Sequence, residues 1–135
     1  TNGPLEVWPE THKGEIHDLW HDGKFTGAVS DDVTEQALAN RVICTAPAGS
    51  VCLMHTRLLH GSAPNNSDAP RTLYICVYSA VDAIPFSPSP VPTSYQGMVV
   101  RGQDHGRVRA VDYNIPLPQL PKGTSFFDQQ KTPST

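Results

Sequence analysis

Two side chains in this 135-residue sequence combine a reactive type with a spacing that could bring them into one site. His60 offers a neutral imidazole, a metal ligand or a base, and Arg71 offers a planar, always charged fork that holds a carboxylate through two hydrogen bonds. They stand eleven positions apart, and the intervening Gly61-Ser62-Ala63-Pro64-Asn65-Asn66-Ser67-Asp68-Ala69-Pro70 is close to pure turn chemistry. A histidine on one side of such a loop and an arginine on the other could point into one sheet mouth. Taken singly, neither is a strong signal, since a strand-end His is commonly a hydrogen-bonded structural residue and an Arg opening a strand commonly faces solvent.

Other groups compete with this pair. His17, Asp18, His21 and Asp22 cluster, but as adjacent pairs they would point to opposite faces of a strand. On a helix His17 and His21 would share a face and could bind zinc. The plainer reading is a solvated polar insertion. Cys52 and His55, with Cys44 and Cys76, could also suggest zinc. Yet those cysteines sit in apolar runs, where free Cys behaves as a small hydrophobe, and closed zinc sites want closely paired spacings. His55 lies an odd step from His60, so along one unbroken strand the two face opposite ways. A packing role suits it better than ligation.

The elements that must position His60 and Arg71 are strand-like. The apolar run over 50–60, with Val51, Leu53, Leu58 and Leu59, predicts a strand ending on His60. TLYICVYSA over 72–80, rich in β-branched and aromatic residues, predicts a second strand starting just after Arg71. Upstream, residues 4–8 (PLEVW) read as a short strand stopped by Pro9, and 41–46 as another, turned by Pro47-Ala48-Gly49. Cap residues followed by helix formers over 30–40 predict a short helix ending near Asn40. Downstream, four prolines over 83–92 forbid a central strand and predict an extended covering segment. One more strand, broken by Gly102 and Gly106, is expected within 95–111, and the Pro-rich 117–135 carries Phe126-Phe127 as an apolar plug. The fold class expected is all-β, with few short helices and no internal repeat.

These residues carry a resemblance. His60-Gly61-Ser62, then Asn65, then Arg71, resembles the distal iron-ligand segment of the phytanoyl-CoA dioxygenase family. TNGPLEVWPETHKG over 1–14 resembles that family's block N-G-x-L-x-x-x-P-G-[ST]-H-K, and the two blocks stand in the family's order. GMVVRGQD and SFFDQQ further on resemble some bacterial members. The resemblance implies a double-stranded β-helix, jelly-roll or cupin-like, and an Fe(II)/2-oxoglutarate-dependent dioxygenase that hydroxylates a small organic substrate with O2 and decarboxylation of 2-oxoglutarate. It implies His60 as the distal iron ligand and Arg71 as the cation that holds the far carboxylate of 2-oxoglutarate. It implies no further catalytic side chain. Fe(II) in such enzymes is held by two His and one carboxylate on one face. Ser62 and Asn65 look like loop shapers, Asn65 closing an Asx turn that sets the Arg in register. His12 resembles the family's histidine in a structural turn.

Two departures follow. Glu10 stands where the family usually has Gly, so a positive φ there would put local strain on Glu10. The H-x-D/E pair that supplies the other two metal ligands is absent. Residues 1–135 are therefore expected to be the C-terminal portion of one dioxygenase domain, inactive alone, with the H-x-D motif in an N-terminal part. Alternatives are a non-catalytic cupin-like β-barrel binding module, and a metal-free isomerase or sugar-binding protein on the same scaffold.

Composition bounds the rest. With 38% hydrophobic and 17% charged residues the chain is globular and holds one domain at most. A net charge of −3 leaves no electrostatic footprint for nucleic acid or an anionic membrane. No apolar run approaches the roughly 20 residues of a membrane span. Three cysteines, an odd count without disulfide spacing, point to a reducing, cytoplasmic setting. Nothing in the sequence fixes an oligomeric state.

Overall fold

Leu5, Glu6 and Val7 form strand β1, entered from Pro4 and left before Pro9, so the two prolines bracket the ladder they cannot join. The structure is a computed structural model that describes residues 2–89 and 91–112. In it β1 is the middle strand of a three-stranded antiparallel sheet, ordered β4-β1-β5, with β4 at Val42–Cys44 and β5 at His60–Ser62. The register sets Leu5 opposite both Cys44 and Ser62, and Val7 opposite both Val42 and His60. Residues directly opposite in an antiparallel pair share a face, so Leu5, Val7, Val42, Cys44, Ser62 and His60 line one side. Glu6, Ile43 and Gly61 line the other, where the half-buried Glu6 carboxylate pairs with Arg41 at 3.2 Å.

After β1 the chain makes a 3-10 turn, Thr11–Lys13, preceded by Glu10 in the left-handed region at φ 69°. The strain expected at the Gly-to-Glu departure is present. Trp20–His21 (β2) and Lys24–Phe25 (β3) then form a two-stranded hairpin across Asp22-Gly23, whose φ values of 51° and 72° fit a type I′ turn. The Trp20 and Phe25 rings contact at 5.6 Å. Helix α1, Asp31–Asn40, matches the predicted span and its end at Asn40, although the Ser30 side chain at its N-cap makes no capping hydrogen bond. Its partly buried positions, Val33 and Ala37, are one turn apart on one side. Arg41 ends the helix by donating to the Leu38 carbonyl before reaching Glu6.

Residues fall into two units, Thr1–Tyr74 and Ile75–Thr135, and all the strands and α1 belong to the first. Among its described residues the second has neither strand nor helix. It has turns at 81–82 and 94–97, and Arg109 pairs with Asp82 at 3.1 Å.

Three strand expectations are corrected. The predicted strand over 50–60 is irregular until His60, which opens β5 instead of ending a strand. The predicted strand over 72–80 is irregular throughout, and no strand forms over 95–111. A strand exists only where another chain segment accepts its ladder, and among the described residues no segment pairs with these runs. Leu53 and Tyr74 accordingly stand 93% and 89% exposed, and no hydrophobic side chain among the described residues is fully buried. The mainly-β class holds. The Phe126-Phe127 plug lies outside the described residues.

Candidate metal and cosubstrate site

The block at 8–14 holds the residue before His60. Trp8 N–H donates to the Leu59 carbonyl at 2.9 Å. The Thr11 hydroxyl donates to the Trp8 carbonyl at 2.8 Å and accepts from the Leu59 N–H at 2.9 Å. Arg57 donates through Nη2 to the Gly14 carbonyl at 2.6 Å, and the His12 and His55 rings meet at 5.4 Å. The left-handed Glu10 bends the chain so that Thr11 can make both bonds. Sequence reading missed Thr11; its signal is a lone hydroxyl residue just after the turn.

His60 itself is exposed and oriented. Its Nδ1 lies 2.7 Å from the Leu58 carbonyl, which can only accept, so Nδ1 carries the proton. Nε2 is then the lone-pair nitrogen, the form in which imidazole ligates a metal.

Past Ser62 the chain makes a closed excursion. Asn65 Oδ1 accepts from the Ser67 N–H at 3.1 Å and from the Ser67 hydroxyl at 2.7 Å, while Asn65 Nδ2 donates to the Ala69 carbonyl at 2.9 Å. This is the Asx turn read for Asn65. The loop returns Arg71 to the strand it left, where Nη1 donates to Ser62 Oγ at 3.4 Å, the long end for such a bond. Ser62 and His60, two apart on β5, share a face. The guanidinium therefore comes to the face that carries the imidazole. Arg71 is exposed, and no carboxylate takes it: Asp82 pairs with Arg109, and no ion pair joins Arg71 to Asp68 among the described residues.

The remaining candidates serve local structure. Asp18 Oδ1 caps the Trp20 N–H at 3.0 Å and His21 Nε2 donates to the Ala28 carbonyl at 2.9 Å, so the 17–22 cluster fastens the hairpin. His55 Nδ1 accepts the Arg57 N–H at 3.1 Å. All three cysteines are free. Among the described residues no three His, Cys, Asp or Glu side chains gather as a metal-holding group. His60 thus fits one place in an iron site, and Arg71 fits the anion end of a cosubstrate. No helix among the described residues is long and apolar enough to cross a membrane.

Comparison with known proteins places the chain in a family. The family profile for phytanoyl-CoA dioxygenase (PhyH) matches residues 1–73, the span that runs from β1 to just past Arg71. A protein of Stutzerimonas stutzeri named "Probable alpha-ketoglutarate-dependent hypophosphite dioxygenase" is 32% identical over 136 residues, covering 96% of this chain and 48% of that protein. The chain thus spans about half the length of that relative. No solved structure matches it. With more than half its residues in the family profile, the chain belongs to the phytanoyl-CoA dioxygenase family.

Proposed function

We propose that this sequence is the C-terminal portion of a double-stranded β-helix enzyme, an Fe(II)/2-oxoglutarate-dependent dioxygenase that hydroxylates a small organic molecule. The overall reaction would couple that hydroxylation to conversion of 2-oxoglutarate and O2 into succinate and CO2. The observation that carries the reading is the shared face of β5: His60 presents Nε2 there, and Ser62 on the same face receives Arg71.

In this reading His60 Nε2 is one of three iron ligands, and the other two come from an H-x-D/E pair in sequence that precedes Thr1. Leu58 O holds the imidazole in its ligating tautomer, and Thr11 holds the backbone just before it. Arg71 takes the distal carboxylate of 2-oxoglutarate through its fork, leaving the 2-oxo acid end free to approach the metal. Iron supplies O2 activation when bound. Leu5, Val7 and Val42 are the apolar neighbours on that face.

The test compares this chain with the intact protein. After loading with Fe(II) and dialysis, the intact protein keeps stoichiometric iron and consumes 2-oxoglutarate, with candidate small substrates including hypophosphite because the relative carries that name. The chain alone keeps little iron and turns nothing over. Stoichiometric iron on the isolated chain would mean that His17, His21 or His55 ligates. An intact protein that binds neither iron nor 2-oxoglutarate would favour the cupin-like binding module.

A further inference from the structure

Gly3 is the one buried residue among those described, and it is buried against the loop that joins His60 to Arg71. Its φ is 67°, in the left-handed region that glycine adopts without cost. A Cβ there would collide with the Ala63 carbonyl oxygen and stand 3.1 Å from both Asn65 N and Pro64 C. The β1–β5 register explains why the approach is so close. Leu5 faces Ser62, so two places further along Gly3 falls opposite Pro64, which has no N–H to hold a ladder spacing. The loop wall from Ala63 to Asn65 leans on the bare backbone of Gly3. From that wall the Asn65 turn starts, and its far end delivers Arg71 to Ser62.

Resting on the reading of Arg71 as the 2-oxoglutarate cation, we infer that Gly3 is a positioning residue for cosubstrate binding: its missing side chain seats the Ala63–Asn65 wall and thereby sets where Arg71 stands relative to His60. The two ends of the site have different anchors. The His60 ring is fixed by Leu58, and its backbone, through Leu59, by Thr11 and Trp8. Arg71 stands at the far end of the loop, from which it reaches Ser62, so a shift of the loop wall is passed on to it. A side chain at position 3 therefore displaces the cation and leaves the imidazole in place. A displacement on the order of 1 Å at a ligand-holding group costs up to about 100-fold.

The experiment measures equilibrium binding of 2-oxoglutarate and, separately, of Mn(II) to the intact protein by calorimetry. Gly3→Ala weakens 2-oxoglutarate by about 10- to 100-fold and leaves Mn(II) affinity within about twofold. Pro64→Gly, which loosens the wall and keeps Gly3, gives the same selective loss at smaller size and decides the matter if Gly3→Ala does not fold. Arg71→Ala is the control for the underlying reading: if it keeps normal 2-oxoglutarate affinity, the assignment of Arg71 fails. If Arg71→Ala loses affinity while Gly3→Ala or Pro64→Gly keeps it, the positioning role is overturned. Equal loss of Mn(II) and 2-oxoglutarate in the folded Gly3→Ala protein overturns it too.

Discussion

At the scale of single residues, the site rests on bonds whose removal has separable consequences. Arg71→Ala takes away a charge-assisted pair, worth about 1.5–3 kcal/mol, so 2-oxoglutarate binding should weaken by about 10- to 150-fold with iron binding retained. Arg71→Lys keeps the charge without the fork and should recover only part of it. Thr11→Val removes the hydroxyl that bridges Trp8 and Leu59, and should weaken iron binding by about 10-fold through a less constrained His60. Thr11→Ser, which keeps the oxygen, should bind iron normally; direct metal titration distinguishes the two variants. His60 and Arg71 were legible because their types and the loop between them are themselves chemical statements. Thr11 was not, because a hydroxyl that links two distant backbone groups leaves no periodic trace.

At the scale of elements, short-range signals were readable and partner-dependent ones were not. Helix α1 announced itself through its capping residues, and β1 through its bracketing prolines. The Asp22-Gly23 hairpin carries a two-residue turn signal, which the reading of 17–22 as a solvated polar insertion passes over. The runs at 50–60 and 72–80 carry strand-forming residues, but residue type cannot supply the ladder partner that a strand requires. Glu10 illustrates a cost that was readable. Glu10→Gly relieves a left-handed φ while loosening the unfolded chain and losing an exposed pair with Lys13, so the intact protein should gain about 0.5–1 kcal/mol, measured by urea denaturation. At the start of α1, Ser30 bonds the Asp32 carboxylate instead of the helix backbone and pulls that carboxyl below its ordinary pKa; desolvation opposes this, while backbone N–H groups and the charge of His17 lower it further. A carboxyl depressed in the folded state contributes stability above its unfolded pKa and loses it as pH falls through the folded one. Ser30→Ala should therefore move the Asp32 titration upward in an NMR pH series and lower stability slightly at neutral pH, where the depressed carboxyl contributes in full.

At the scale of the whole molecule, the described residues form a small sheet that orients one imidazole and one guanidinium on a common face without a closed core. The family profile ends at residue 73, just past Arg71, and the S. stutzeri relative is about twice this length. Folding and metal retention should therefore be properties of the intact protein: hydrogen exchange should show slow amides at β1 and β5 there and not in the isolated chain. The most direct test of the shared site is the visible absorption that develops when a 2-oxo acid chelates Fe(II) under anaerobic conditions. In the intact protein the band should appear on adding 2-oxoglutarate, vanish in His60→Ala, and reach the same intensity in Arg71→Ala only at 2-oxoglutarate concentrations about 10-fold or more higher. A band that persists at full intensity and unchanged concentration dependence in both variants would contradict the account.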